Sequence, residues 1–405
     1  MTVDAPVVDE VDLTDPEVFR DGPPYEFFAR LRREAPVAWQ PTSSAHGVGL
    51  WLITRHADVV AVERDPETFS SSHQLGGTLI EPVGADAGLH LINKDSPEHF
   101  ALRAHVRRPF VGRQLDAIRD RVATIARQVV AAAAGKGHFD MATDVAAKIP
   151  AMALVELLEI PAADRPRFLD WIDGLLRNAP QDRSKVPSQH ATELLAYVLD
   201  AVSGGSDQVA RRSAVLSELT SHQVDGRPAD PLELCMFLIF LTFAGNTTMR
   251  SAITGGTLAL LQHPEEQARL LADRSLLRSA ADEVLRYVSP VNYFRRTATR
   301  DTDLAGVTIP AGATVTLWYC SANRDELRFA EPDRFDVGRS PNPHLAFGGF
   351  GPHYCLGASF ARIQLAAVVG EIVSQLLPRL ELAGAPVRAA FNHENEISHL
   401  PVRVR

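Results

Sequence analysis

A single, mainly α-helical domain with small β-sheets at its edge is predicted over residues 1–405, from three observations. Apolar residues recur at three- and four-residue steps along most of the chain. Candidate strands are few, short and interleaved with the helical segments. No stretch has linker composition and no internal repeat appears, so nothing divides the sequence into separate units.

The helical spacing runs through Pro24–Arg33, Pro97–Arg108, Gln114–Ala134, Asp144–Leu158, Ala191–Ser203 and Ser213–His222. Strand character falls on VAWQ and LWLITR near the start, on FRRTATR, GVTIP and TVTLWYC later, and on PVRAAF with LPVRVR at the end. GVTIPAGATVTLW reads as a hairpin turned at Pro310-Ala311-Gly312. The most apolar run, LCMFLIFLTFAG, is shorter than the ~20 residues a bilayer span needs and reads as a buried helix, with no membrane partner.

With 45% hydrophobic and 22% charged residues the composition is that of a packed globular protein. A net charge of -9 argues against nucleic acid as a partner, although local basic patches remain. The first residues, MTVDAPVVDEVDLTDPEVF, have neither a basic start nor an apolar core, so no leader is expected and the location is cytoplasmic. Three scattered cysteines, Cys235, Cys320 and Cys355, make neither a disulfide framework nor a CxxC zinc site.

Cys355 stands in FGGFGPHYCLG, ahead of the strongly helical LGASFARIQLAAVVGEIVSQLL. A helix start favours a thiolate through its unpaired N–H groups and dipole, and the glycines allow backbone to approach a flat ligand. By itself this serves a ligand sulfur, a redox thiol or a buried structural cysteine. No Lys-Ser/Thr follows the glycines, which argues against a phosphate loop.

Two further stretches narrow the choice. Glu283 and Arg286 in ADEVLRYVSP are three apart and share a helix face, and Arg334 in EPDRFD is placed to close a buried network with them. FLTFAGNTTMRSAITGG reads as an apolar helix interrupted at Ala244-Gly245 and Thr247-Thr248, or alternatively as a close helix crossing.

Read in this order, the ExxR pair, the interrupted helix and the glycine-rich cysteine loop resemble the cytochrome P-450 family of haem-thiolate monooxygenases. The resemblance runs from about Asp12 to the end of the chain. It implies haem b held between a long distal helix and the proximal loop, with Cys355 as the axial thiolate of the iron. His99 and Arg103 in DSPEHFALRAHVRR, Arg296 in FRRTATRD and His353 would meet the propionates, with Ala244, Phe347 and Gly357 also against the haem. Arg295 is the alternative to Arg296. Thr248 matches the distal threonine. The position before it is normally acidic and assigned to proton relay, so Thr247 implies a different route.

The extra residue between Phe347 and Cys355 resembles an actinobacterial branch that oxidises branched lipids, steroids and terpenoids. The implied activity is hydroxylation of a lipophilic small molecule with O2, using electrons from a ferredoxin and ferredoxin reductase. A peroxide-driven enzyme and a non-catalytic haem sensor or ligand carrier are the alternatives. Arg103, Arg107, Arg108 and Arg113 would form a basic patch for an acidic carrier. By the same analogy the substrate meets the loop Gln74–Leu91 with His90, then Phe240, Phe243 and Ala244, then Val291, Asn292, Tyr293 and Phe294, and the turn Ile397–Leu400 with Ser398.

Overall fold

A computed structural model describes residues 5–41, 49–84, 86–178, 189–203, 214–224 and 226–405. Ser213, Ala85 within the loop Gln74–Leu91, and the side chain of Arg113 lie outside the described residues. The first helices are α1 (Tyr25–Glu34), α2 (His56–Arg64), α3 (Glu98–Val106), α4 (Arg113–Ala134) and α5 (Lys148–Leu157). They are followed by α6 (Arg165–Asn178), α7 (Gln189–Ser203), α8 (Ala214–Ser221) and α9 (Pro231–Gln262). The C-terminal part holds α10 (Pro264–Ala272), α11 (Leu277–Val288), α12 (Tyr319–Ala322) and α13 (Ala358–Glu371).

The main sheet is built from distant segments. Its strands are β1 (Val37–Gln40), β2 (Leu50–Ile53), β3 (Phe69–Ser70), β7 (Tyr293–Ala298) and β10 (Thr314–Trp318), in the order β1-β2-β10-β7-β3. β2 and β10 run parallel, with Leu50 opposite Thr314 and Ile53 opposite Leu317. A second sheet joins β4 (His138–Asp140) to β14 (Pro401–Val404) and β11 (Leu380–Leu382). Three two-stranded ribbons pair β5 (Gln223–Val224) with β6 (Arg227–Pro228), β8 (Thr302–Leu304) with β9 (Val307–Ile309), and β12 (Val387–Arg388) with β13 (Ile397–His399).

The hairpin expected across Pro310-Gly312 is not formed. β9 turns back on β8 instead, through Ala305 and Gly306 at φ 52° and 82°, the left-handed pair that a tight hairpin requires. β10 is drawn into the main sheet between β2 and β7, where all its side chains are buried.

α9 organises the helical part. Asp230 caps it by accepting from the N–H groups of Leu232 and Glu233 at 2.9 and 3.0 Å, and Pro231 occupies its first position. It then runs unbroken for 32 residues, long and apolar enough to cross a membrane by length and composition alone. Here it packs between α5, α7, α11 and α13.

The expected interruption is absent because the polar side chains fold back on the helix. Asn246 Nδ2 donates to Thr242 O at 2.6 Å and Thr248 Oγ1 to Ala244 O at 2.7 Å. The close helix crossing lies one turn or more further on. A Cβ on Gly255 or Gly256 would stand 2.7 Å from Val288 or Val284, so α11 passes against bare backbone there. At Gly245 an added Cβ would meet nothing within 4 Å, which makes that turn of α9 the floor of an open space.

Candidate functional site

Cys355 lies just ahead of α13, with its N–H donating to Phe347 O at 2.9 Å across the loop. Its side chain has accessible area, yet protein surrounds it closely enough that burial pushes the thiol up from its ordinary value. The sulfur is thus accessible yet closely enclosed by protein. The Gly357 N–H and the guanidinium groups of Arg103 and Arg362 pull in the opposite direction, toward the thiolate, but burial outweighs them. A bound metal cation would reverse that balance outright. Cys235 and Cys320 are buried, with thiols pushed up to about 11 and about 12 by burial.

Three of the loop glycines pack directly against the end of α2. A Cβ on Gly351 would fall 1.8 Å from Glu63 O, and Gly348, at φ +93°, has Glu63 Oε2 3.1 Å from the same notional atom. The loop can therefore close on the end of α2 only without side chains. Glu63 fastens it there: its carboxylate accepts from Gly349 N–H at 3.1 Å, from Arg296 Nη2 at 3.5 Å and from the Tyr319 hydroxyl. Phe347 is buried beneath the sulfur's loop, with the Arg362 guanidinium 4.6 Å from its ring centre. Arg362 in turn donates to Asp282 at 2.7 Å.

Beside the sulfur the fold gathers positive and neutral-base groups. The rings of His99 and His353 lie 4.1 Å apart, and Arg103 Nη2 donates to Tyr354 O at 2.6 Å. Arg296 is buried at 4% exposure with Glu63 as its carboxylate. Burial, then the charge of Arg103, lowers the His99 pKa to about 4. His353 is lowered as well, by burial and then by Arg296. His99 Nε2 is buried with no hydrogen-bond partner. Of these two guanidiniums and two imidazoles only Arg296 has a carboxylate partner among the described residues, Glu63, so a ligand that brings carboxylates of its own would suit the cluster. Arg295 takes no part: its guanidinium donates to the carbonyls of Gly76 and Leu75 at 3.0 and 3.2 Å.

On the α9 wall, Phe240, Phe243, Ala244, Thr247 and Thr248 are all half-buried. His90 closes on Phe240 with ring centres 5.6 Å apart, bringing the predicted loop over the helix. Thr247 Oγ1 is 3.3 Å from Phe243 O and 3.0 Å from Glu394 Oε1. Val291 and Phe294 are half-buried on the facing segment, Phe294 packing 5.2 Å from the His393 ring. Two expected substrate contacts are corrected. Asn292 is fully buried, and its N–H and side-chain amide donate to His393 O at 2.8 Å and Asn392 O at 3.0 Å, so it ties two backbone segments together. Tyr293 is equally buried. Ser398 gives its hydroxyl to Val387 O at 3.1 Å within the β12–β13 ribbon.

The buried network around Glu283 and Arg286 forms, with one correction. Both residues are fully buried and joined by two bonds of 2.8 Å. Arg334 contributes only its carbonyl, which accepts from Arg286 Nη2 at 3.0 Å, while its own side chain is exposed and pairs with Glu331. The second guanidinium is Arg339, whose Nε lies 3.1 Å from Glu283 Oε2. Asn342 and the Asp336 N–H complete the carboxylate's shell at 3.1 and 2.9 Å. Arg107 and Arg108 are exposed near the loop, Arg108 paired with Glu218 at 2.5 Å.

Comparison with known proteins matches residues 84–381 to the family model described as Cytochrome P450. A steroid C26-monooxygenase of Rhodococcus jostii is 35% identical, covering 96% of this chain and 84% of its own. A methyl-branched lipid omega-hydroxylase of Mycobacterium tuberculosis is 36% identical, covering 93% and 90%. Among solved structures, Mycobacterium marinum cytochrome P450 CYP268A2 in complex with pseudoionone superimposes with a TM-score of 0.85 at 32% identity, over 100% of this chain and 98% of that one.

Proposed function

The chain belongs to the cytochrome P450 family of haem b monooxygenases, and from that premise we propose that Cys355 binds the haem iron and that the α9 cavity receives a sterol-like or methyl-branched lipid for hydroxylation. The carrying observation is the cluster of Arg103, Arg296, His99 and His353 beside an accessible cysteine at the head of α13. Those four side chains would hold the two propionates, and the unpartnered His99 Nε2 would gain an acceptor or donor there. When bound, the haem supplies single-electron transfer and dioxygen activation for insertion of one oxygen atom into a C–H bond.

The protein's own residues supply position and exclusion. Phe347 and Arg362 back the sulfur, fixing it and adding positive charge behind it. The bare turn at Gly245 leaves room over the opposite side. Phe240, Phe243, Val291 and Phe294 give the cavity apolar walls that desolvate an alkyl chain and keep bulk water away. The substrate class is carried over from the steroid and methyl-branched lipid relatives. We place the enzyme in the cytoplasm, with electrons arriving from a ferredoxin and its reductase onto the exposed Arg107 face.

The test is a screen of sterols, methyl-branched fatty acids and terpenoid ketones for ligand-induced shifts of the haem absorption. Ligands that shift it should be hydroxylated in an oxygen- and ferredoxin-dependent reaction. Turnover only with peroxide would refute the oxygen-dependent reading.

The cationic cluster also sets a pH dependence. The His99 pKa of about 4 stands below the ordinary 6.5, so on acidification the unfolded chain takes up the proton first. Stability present above pH 6.5 is therefore lost as pH falls toward 4, by up to roughly 3 kcal/mol for this group. Denaturant titrations of haem-free protein should show wild type losing more stability than His99→Gln over that range. Haem loading should shrink the difference, because propionate carboxylates favour the charged imidazole.

A further inference from the structure

Glu394 and Thr247 form a hydroxyl–carboxylate pair at the edge of the α9 cavity, 3.0 Å apart although 147 residues separate them in sequence. The segment carrying Glu394 is held firmly. Asn395 N–H donates to Pro290 O at 3.0 Å and its side-chain amide to Val288 O at 2.6 Å. On the other side, Asn292 donates twice to residues 392 and 393. These bonds fix the backbone on both flanks of Glu394, so its carboxylate is placed against α9 by design of the fold and not by a loose side chain.

The neighbouring hydroxyl, Thr248, is spent on Ala244 O at 2.7 Å. Thr247 has one hydrogen and two acceptors within reach, Phe243 O at 3.3 Å and Glu394 Oε1 at 3.0 Å. Toward an ionised carboxylate it donates, and that bond is the stronger. Toward a protonated carboxyl it accepts, and its own hydrogen is then released to a second partner. Such a pair can hold a proton and hand one on.

We propose that Glu394 is the proton-holding residue of the cavity, delivering protons through the Thr247 hydroxyl from a strand-side segment in place of an acid on α9. In each transfer the Glu394 O–H bond breaks as Thr247 Oγ1 takes that hydrogen, and the hydrogen already on Oγ1 passes to a water in the cavity. The resulting carboxylate belongs to a half-buried residue and is re-protonated from solvent, so one proton enters for each one delivered. The reductant of the monooxygenase reaction supplies the electrons. The inference rests on reading this cavity as the place of hydroxylation.

Three variants test it in the holoenzyme: Glu394→Gln, Thr247→Val and the two combined. With a ligand that shifts the haem absorption, product formed per reductant consumed should fall at least about tenfold in each single variant, the balance appearing as peroxide. The double variant should be no worse than either single one, because both break one path. Glu394→Asp should restore part of the coupling. Independently of turnover, infrared difference spectra of the resting protein should show the Glu394 carboxyl or carboxylate band moving in Thr247→Val. An unmoved band, or wild-type coupling in Glu394→Gln, overturns the proposal. So does a coupling loss in Glu394→Gln that tracks a lowered melting temperature and weakened ligand shift, since that describes a latch between segments. If no lipophilic ligand shifts the wild-type absorption at all, the cavity reading itself fails, a result the infrared measurement does not depend on.

Discussion

Serine at position 355 is expected to abolish the red-shifted absorption band of the ferrous carbon monoxide complex, which reports thiolate ligation. The sulfur is the accessible one of the three, and the charges of two nearby guanidiniums and an amide N–H favour its thiolate. A serine hydroxyl cannot replace it, because an alcohol holds its proton far more tightly than a thiol and offers no soft donor to iron. Cys235→Ser and Cys320→Ser should keep the band, since both thiols are buried elsewhere and held protonated by burial. Loss of the band in either, with haem still bound, would remove Cys355 from its assigned place.

The second large effect falls on Glu283. Its carboxylate accepts from Arg286, Arg339, Asn342 and the Asp336 N–H, all out of water. Glu283→Ala strands two guanidiniums and an amide, a loss of ~3–5 kcal/mol that should leave little haem-loaded soluble protein. Arg339→Ala should be costly for the same reason. Arg334→Ala should change stability by no more than about 0.5 kcal/mol, because its side chain only meets Glu331 at the surface. Thermal denaturation and haem content of the three variants decide the matter. Equal losses in Arg334→Ala and Arg339→Ala would contradict the geometry.

What could be read from the sequence was what lies close along the chain. Glu283 and Arg286 share a helix face by their spacing, and Cys355 is marked by its own loop and the helix after it. Glu63, Arg339 and Glu394 could not be read, because each meets partners hundreds of residues or several elements away. Glu63 in VERD looks like any charge at the end of a short helix; only the loop folding over it shows why Gly349 and Gly351 carry no side chains. Arg334 and Arg339 are interchangeable on paper, and the turn between them decides which points inward. The α9 interruption failed as an expectation for a local reason: asparagine and threonine can spend their polar atoms on carbonyls one turn back and leave the helix whole.

The parallel pairing of Leu50–Ile53 with Thr314–Leu317 bears on how the chain must be made. During synthesis the early strand and its antiparallel neighbour Val37–Gln40 emerge long before their third partner exists. At ~5–20 residues per second that wait is on the order of tens of seconds. Leu50, Trp51, Leu52 and Ile53 are all buried in the finished molecule, so for that interval four large apolar side chains lack the partners that later cover them. The nascent polypeptide is therefore exposed to self-association near its beginning, and yield of native enzyme should rise with chaperone supply and slower growth.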